Sequence, residues 1–439
     1  MLEIKDLTLV DLYAAIQIKK IADSLEAVYS SGYEEEEIYT ELLKRYNSDS
    51  DIKFKILDFN TKEILYKWAQ KKCRYPLLNN LMKIQVNRLI HEEELCGVTI
   101  DSTDSFLVNN LKPVIKIMIE QVAKSIFNFK IVYTKKISKI NNQEFNECVC
   151  EILKEMDPTL EWLNIYIQAK KEGKIIYLDE LSNCEKNKLK DKLGFGELPH
   201  NFCGSINGSY YLFLTRIGTI KDVHSMLHEL AHYITEYNAS NIKVQPTLME
   251  FPSIFFELYS LDYLRRIGYS SDELEAINLE RLENTLMITA QTSGILDYLD
   301  MFVDNLEIKE EDDIRKNKKI KEDIINILSE EAKKVIINDV PDFFDPTISA
   351  YQSCDDCIKS LVSNPMQLFL IYPYVLGNYL ATKSMEMLFK DRDFLKKIKF
   401  YTEKVSMIDP YEVFVAVGCD VDTLGIKKGC IKSKRETRR

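Results

Sequence analysis

The chain has 439 residues, of which 46% are hydrophobic and 29% are charged, a composition typical of a folded protein and not of a disordered chain. Its formal net charge of −11 at pH 7 argues against nucleic acid as the main partner, because phosphate backbones attract basic surfaces. A chain of this length can bury a large core and form about two or three domains.

Residues 1–190 carry apolar side chains at helical spacing and show no strand pattern before residue 174. Helices are predicted over 5–30, 33–46, 61–96, 103–127, 141–156 and 159–172. Residues 1–9 lack the continuous apolar segment of a signal peptide, so we expect a cytoplasmic protein that contacts no membrane. The predicted domains are a helical N-terminal lobe over 1–190 and a second lobe over 191–439.

The pattern changes near residue 174, where β-branched and aromatic residues predict strands over 174–178 and 209–217. Glycine and proline between these strands, including Gly204, predict turns. The second strand either lies in a buried sheet or presents a free edge to a cleft, where a peptide can bind as an additional strand. The pattern alone favours neither arrangement.

The most informative stretch is 223–237, where His228, Glu229 and His232 form an H-E-x-x-H motif. Apolar residues recur around the motif at helical spacing, which predicts a helix with both histidines on one face. Two imidazoles so placed can bind one Zn²⁺, beside which Glu229 can accept a proton from water. The alternative is a surface helix on which the three fixed residues of the motif occur by chance. His224, one turn before His228, either belongs to the site or is a partly buried histidine without a metal role.

A catalytic zinc site needs a third protein ligand and one open position. A third histidine six residues after His232, as in the metzincin pattern, is excluded because Asn238 stands there. A carboxylate from the next helix is the remaining source, and Glu250 and Glu257 lie two turns apart on one face of it among apolar neighbours. The alternative is that the two glutamates form salt bridges on a helix surface.

The sequence H-E-L-A-H at 228–232, followed by E-F-P-S-x-x-x-E at 250–257, resembles the M3 family of zinc oligopeptidases, which includes thimet oligopeptidase and oligoendopeptidase F. Shorter segments on both sides extend the resemblance over 190–430. It implies a mainly α, two-lobed helical gluzincin metallopeptidase with a small β-sheet beside the H-E-x-x-H helix and a deep substrate channel. Gln367 stands near the position of a histidine that often precedes the substrate-binding tyrosines of the family.

The resemblance also implies the composition of the site. One Zn²⁺ per chain is expected on His228, His232 and Glu250. Glu229 is expected to act as the general base, and Glu257 to orient a ligand imidazole as its hydrogen-bond acceptor.

The C-terminal part of the chain contains the candidate tyrosines. Helices are predicted over 271–306, 323–338, 353–361, 373–389 and 391–405, and the mixed-charge run 308–323 is predicted as an exposed helix or loop. Pro373 is expected to open its helix, since the first turn tolerates proline. The resemblance assigns oxyanion stabilisation to Tyr379 and substrate binding to Tyr372 and Tyr374, with Tyr374 as the alternative for the catalytic role. Aromatic residues at helical spacing otherwise belong to a core.

Cys354 and Cys357 form a C-x-x-C pair, but no second pair follows at the spacing of a zinc ribbon. We therefore expect reduced thiols with no role in metal binding or catalysis.

Together with the resemblance, the motif predicts a zinc-dependent endopeptidase that hydrolyses peptide bonds in short peptides. The alternatives are a maturation protease dedicated to one peptide and an inactive peptide-binding protein. The sequence leaves the oligomeric state and the peptide preference open.

Overall fold

A computed structural model of the chain describes residues 12–13, 16, 75, 78–79, 82, 112–118, 137–193, 201–206, 208–239, 248–305, 307–316, 318, 354, 357, 367–405, 408 and 410–421. In chain order, the elements are α1 (Asn142–Met156), α2 (Glu161–Lys171), β1 (Ile175–Tyr177), a 3₁₀ turn (Leu178–Glu180), α3 (Asn183–Leu193), β2 (Phe202–Ile206), β3 (Ser209–Leu214), α4 (Lys221–Ala239), α5 (Glu250–Arg266), α6 (Ser271–Asn305), α7 (Gln367–Lys390), α8 (Phe394–Lys404) and α9 (Pro410–Ala416).

The mainly helical fold with a small sheet, predicted from the sequence, is confirmed. Residues 112–118 and 310–316 are also helical. The helices predicted over 33–46 and 323–338 lie outside the described residues. Among the described helices, none combines the length and the apolar character that a membrane crossing requires.

Helices α1 and α2 confirm the two helices predicted before the sheet. Asn141 caps α1, because its side chain accepts hydrogen bonds from the backbone of Gln143 and Glu144, and the Glu144 carboxylate accepts one from the Asn141 N–H. Both helices bury apolar residues, including Val149 and Trp162, in the core that also contains α4. The domain boundary predicted at residue 190 stays a prediction, because few residues before 137 are described.

The three-stranded sheet has the order β1–β3–β2, with β1 parallel and β2 antiparallel to the central β3. The rings of Phe202 and Phe213 stack across β2 and β3 with centroids 4.8 Å apart. Gly204, predicted in a turn, lies inside β2 opposite Tyr211, because strand pairing overrides the local turn preference. The run predicted over 209–217 therefore supplies the central strand, and β2 is an edge strand of the described sheet.

Helices α4 and α5 lie side by side and carry the residues predicted to bind metal. Helix α5 packs against α4 and α7, and α7 also packs against α6. Buried apolar residues on α4, α5 and α7 include Leu227, Leu230, Phe255 and Leu376. Axes of packed helices lie about 8–10 Å apart, so side chains from α4 and α5 can reach one point between them.

Helix α7 begins six residues earlier than the sequence predicts. It starts at Gln367 and contains Pro373 in its interior, whereas a helix that opens at Pro373 was expected. An interior proline lacks an N–H donor and conflicts with the carbonyl four residues before it, at a cost of about 3 kcal/mol. The helix continues through it because the following turns are fully buried at Val375, Leu376 and Leu380. Tertiary packing therefore overrides the local signal for a helix start.

Candidate active site

Helix α4, which carries the H-E-x-x-H motif, begins at a turn held by Asp222. The Asp222 carboxylate accepts hydrogen bonds from the backbone N–H groups of Ile217 (3.0 Å), Gly218 (2.7 Å) and Thr219 (3.1 Å). Gly218 has φ +75°, a conformation that favours glycine and lets the chain turn sharply from β3 into α4. The turn fixes the direction of α4 relative to the sheet and places the motif beside β2.

The structure brings His228 and His232 together with Glu250, the first residue of α5. Nε2 of His228 lies 3.3 Å from Nε2 of His232, and Oε2 of Glu250 lies 3.5 Å and 3.2 Å from these two nitrogens, respectively. Ligand bonds of about 2.0–2.1 Å in a tetrahedral site place neighbouring donor atoms roughly 3.3–3.4 Å apart. The three donor atoms therefore have the mutual spacing of three corners of a tetrahedral metal site.

Glu250 is only 3% exposed and is held from two sides. Ser253 Oγ lies 2.9 Å from the Glu250 carboxylate and 2.9 Å from its backbone oxygen. Burial alone would raise the pKa of Glu250, but His232, His228 and Ser253 hold it below its ordinary value, so the carboxylate is charged. On the other side, a Cβ added to Gly377 of α7 would lie 2.7 Å from the Glu250 carbonyl carbon, so only glycine fits there.

Glu257, two turns along α5, contacts the other nitrogen of His228. Its carboxylate accepts a hydrogen bond from His228 Nδ1 at 2.8 Å, which leaves Nε2 facing the other donor atoms. Burial alone would raise the pKa of Glu257, but His224 and His228 lower it to about 2. Burial would also lower the pKa of His228, but Glu257, with Glu229 and Glu250, raises it to about 10 in the metal-free protein.

His228, His232 and Glu250, which carry the three possible metal-ligand atoms, line a cavity of about 460 Å³, which we call the front cavity. Glu229 is 7% exposed and lines this cavity beside His228 and His232, so a further carboxylate faces the same space. Residues 202–205 of β2 form another part of the wall. A small molecule or a peptide segment in the cavity would therefore meet the donor atoms, a carboxylate and a strand edge together.

Of the three predicted tyrosines, the structure brings only Tyr374 to the front cavity. Its ring lies nearly parallel to the His228 imidazole, with centroids 6.3 Å apart and an interplanar angle of 9°. The Glu250 carboxylate, followed by burial, holds the pKa of Tyr374 well above its ordinary value. The phenol therefore keeps its proton and can donate a hydrogen bond.

Tyr379 and Tyr372 do not line the front cavity. Tyr379 packs against Phe414 with ring centroids 6.1 Å apart, and burial, with the adjacent Cys419, raises its pKa. Tyr372 is buried in the core. Five residues of an α-helix rotate by about 500°, roughly 140° beyond a full turn, so positions 374 and 379 face different sides. The roles predicted for Tyr379 and Tyr372 do not fit these positions, and the alternative, Tyr374, is the tyrosine that faces the donor atoms.

Asn378 and Arg281 are residues near the site that the sequence patterns do not reveal. Asn378 Nδ2 donates to the Tyr374 carbonyl at 2.8 Å, and its Oδ1 accepts hydrogen bonds from Arg281 Nη1 at 2.6 Å and Thr285 Oγ1 at 3.1 Å. These bonds tie the turn of α7 that carries Tyr374 to α6. The one signal in the sequence is a polar residue inside the apolar run 368–381, since a buried amide needs partners.

His224 and the two C-x-x-C cysteines lie outside the group of three donor residues. His224 is buried, with Nε2 3.7 Å from Glu257, as expected for a histidine without a metal role. Cys354 and Cys357 are also buried, and the Cys354 N–H donates to Asp313. Asp313 is itself 5% exposed, so the prediction of an exposed segment over 308–323 is wrong at this residue.

No family model and no curated protein sequence matches the chain. Among solved structures, it is similar to a candidate peptidase from Chlamydophila abortus, with 14% identity, a TM-score of 0.46, and coverage of 83% of this chain and 59% of that chain. It is also similar to a candidate oligoendopeptidase F (11% identity, TM-score 0.49, coverage 96% and 75%) and to PZ peptidase A with an inhibitor (11% identity, TM-score 0.47, coverage 95% and 84%). The chain thus spans less than two thirds of the first of these structures. At these identities and TM-scores, the likeness assigns neither a family nor an activity to the chain.

Proposed function

We propose that the protein is a zinc-dependent endopeptidase that hydrolyses short peptides, related to the M3 oligopeptidases whose motifs its sequence resembles. The observation that carries the proposal is the convergence of ligand atoms from His228, His232 and Glu250 within 4.8 Å of one another. Two imidazoles and one carboxylate form a donor set of catalytic zinc sites, whereas Mg²⁺ and Ca²⁺ prefer oxygen donors alone. The 3.2–3.5 Å spacing of the donor atoms fits the same ion.

Glu229 is the carboxylate proposed to move the proton. Zn²⁺ bound to the three donor residues would supply a Lewis acid and lower the pKa of a water molecule to about 7. Glu229 faces the same cavity, so it can accept the proton from this water and pass it to the leaving amine. Glu250 and Glu257 are not available for this role, because their oxygens already face imidazole nitrogens.

Tyr374 is proposed to donate a hydrogen bond to the oxyanion that forms when the peptide carbonyl is attacked. Its phenol faces the donor atoms and keeps its proton, because the Glu250 carboxylate and burial raise its pKa. One such donor contributes about 10²–10³ to kcat. Asn378 holds the Tyr374 carbonyl, which fixes the turn that presents the phenol.

The edge of β2 supports binding of an extended peptide. Residues 202–205 line the front cavity, and β2 pairs on one side only within the described sheet. An edge strand can bind an extended peptide backbone as an additional strand, which recognises peptides without reading most side chains. A cavity of about 460 Å³ accommodates a short segment and not a folded domain.

Mass spectrometry of a mixed peptide library incubated with the protein, with and without a chelator, tests the proposal. We expect internal cleavage products that disappear on chelation and return when zinc is added. Broad cleavage would favour an oligopeptidase, cleavage at one sequence a dedicated maturation protease, and zinc binding without cleavage a peptide-binding protein.

Elemental analysis tests the metal site separately. The wild type should hold about one zinc per chain, and His232→Ala should hold less than about a tenth of that, because two remaining ligands bind zinc weakly. Circular dichroism provides the control for folding. Equal zinc in both proteins would contradict the site.

A further inference from the structure

A second cavity, which we call the rear cavity, shares two walls with the front cavity. Its volume is about 330 Å³, and His228 and Tyr374 line both cavities. Its other walls include polar side chains that the proposed mechanism does not use: Lys221, Arg281, Asn284 and Thr285. The two cavities therefore adjoin at His228 and Tyr374.

Arg281 is the unusual group in the rear cavity. Burial lowers the pKa of its guanidinium, although the negative charge of Glu257 opposes this effect. Its hydrogen bonds go to neutral amides, from Nη1 to Asn378 at 2.6 Å and from Nε to Asn278 at 3.1 Å. Within the described part of the chain, no carboxylate lies within the 4.0 Å of an ion pair with Arg281. Arg281 is partly buried, and charges withdrawn from water are normally paired, because neutral partners alone do not offset the loss of water.

The other charges around the rear cavity already have partners at contact distance. The Glu257 carboxylate lies 2.8 Å from His228 and 3.7 Å from His224. Lys221 forms an ion pair with Glu280. Arg281 thus retains N–H groups and a positive charge without a contacting anion. A carboxylate suits it best, because its two oxygens match the planar guanidinium in two parallel hydrogen bonds.

We propose that Arg281 binds a carboxylate of the peptide substrate in the rear cavity. The inference rests on the proposed peptidase function, since it takes the ligand to be a peptide held at His228. Two parts of a peptide can supply the group: the C-terminal carboxylate, or the side chain of an aspartate or glutamate. In both cases, the rear cavity gives the enzyme a preference for an anionic group on one side of the cleaved bond.

Calorimetric titration of the Glu229→Gln variant measures this preference without turnover. One pair of probes is an acetylated hexapeptide as the free acid and as the C-terminal amide. A second series is amidated and carries a single glutamate or glutamine at successive positions. If the C-terminus is the ligand, the acid should bind about 10- to 100-fold more tightly than the amide, the effect of one charge-assisted hydrogen-bonded pair. If a side chain is the ligand, the glutamate peptide should bind more tightly than the matching glutamine peptide by the same factor, at one position of the series.

Variants then test whether Arg281 is the residue that causes this preference for a carboxylate. In Arg281→Met, it should fall below about twofold, and Arg281→Lys should keep part of it, because the charge remains while the paired hydrogen bonds are lost. Arg265→Met removes an exposed arginine of α5 and is the matched control, which should keep the full preference. Because Arg281 also bonds Asn378, melting temperatures check the fold of each variant. The comparison of acid and amide probes on the protein with Arg281 intact depends on none of these variants.

Three outcomes would overturn the proposal: equal binding within every probe pair, no measurable binding of any probe, or a preference that Arg281→Met leaves unchanged. The proposed peptidase function is tested separately, by cleavage of the peptide library with the wild-type protein. Cleavage without a charge preference would reject the carboxylate site alone. Charge-dependent binding without cleavage would support the site and reject the peptidase activity.

Discussion

Replacing Gly377 by alanine tests whether the contact between α7 and α5 holds a metal donor in place. A Cβ at this position would lie 2.7 Å from the Glu250 carbonyl carbon, 2.8 Å from its carbonyl oxygen and 2.9 Å from its Cβ. Ordinary contact begins at 3.4 Å, so the helices or Glu250 must move by 3.4 − 2.7 = 0.7 Å. The two nearest atoms belong to the backbone, so no side-chain rotation relieves the clash.

The sign of the change in stability makes this test decisive. In an open helix, glycine to alanine stabilises a protein by about 0.5–1 kcal/mol, because alanine restricts the unfolded chain. At Gly377 we expect a loss of roughly 1–3 kcal/mol, the usual effect of an added methyl group in a filled core. A displacement of 0.7 Å also exceeds the tolerance of about 0.2 Å on metal–ligand distances. We therefore expect zinc affinity to fall by about 10- to 100-fold.

Urea unfolding of the metal-free protein measures the stability, and competition with a chromophoric chelator measures the zinc affinity. Ser253→Ala is a useful companion, because it removes a hydrogen bond to the same carboxylate without adding atoms. It should weaken zinc binding without a steric cost. If Gly377→Ala were as stable as the wild type and bound zinc equally well, the close contact with Glu250 would be refuted.

Three further predictions concern the chemistry of the site. Glu229→Gln should keep zinc and lose about 10²–10⁴ in kcat, because an amide accepts no proton; turnover near the wild-type rate would point to another base. Tyr374→Phe should lose about 10²–10³ in kcat with little change in KM, whereas Tyr379→Phe should be nearly normal, because its phenol lies beside Cys419; the reverse result would return the role to Tyr379. In the metal-free protein, the pKa of Glu257 is lowered from 4.5 to about 2 and that of His228 is raised from 6.5 to about 10. Their pairing should therefore stabilise the fold fully between about pH 4.5 and 6.5, and this stabilisation is lost as the pH falls through 2 or rises through 10. Thermal melts from about pH 5 to 9 should show stability falling above about pH 6.5, and Glu257→Gln should remove most of that slope; a flat wild-type curve would argue against the pair.

The candidate metal ligands His228 and His232 can be predicted from the sequence because their proximity depends on local helical geometry. Residues four apart on a helix face the same side, and the structure places Nε2 of His228 and Nε2 of His232 3.3 Å apart. Glu250 stands out because a carboxylate among apolar neighbours needs a cationic partner. The mainly helical fold follows in the same way, from long stretches with helical period and only 14 glycines and 11 prolines.

Which tyrosine lies at the site depends on packing between distant segments, and the sequence pattern does not show this packing. A helix opening at Pro373 and one opening at Gln367 have the same periodicity, so the pattern does not decide which tyrosine faces the donor atoms. The rotation of α7 is set by its contacts, and Asn378 and Arg281 are 97 residues apart in the chain. The same reason applies to Gly204, whose place in β2 is set by its partner strand.

One face of α7 connects the proposed metal site with the proposed oxyanion donor. Tyr374, Gly377 and Asn378 occupy positions i, i+3 and i+4, which share a face of a helix. Gly377 lies against Glu250, so the helix spacing that positions the Tyr374 phenol also positions a proposed metal ligand. A larger residue at 377 should therefore reduce zinc affinity and kcat together, whereas Tyr374→Phe should reduce kcat alone. If both zinc affinity and kcat fall for the larger residue at 377, α7 sets the distance between the phenol of Tyr374 and the carboxylate of Glu250. If neither falls, α7 only supports the fold.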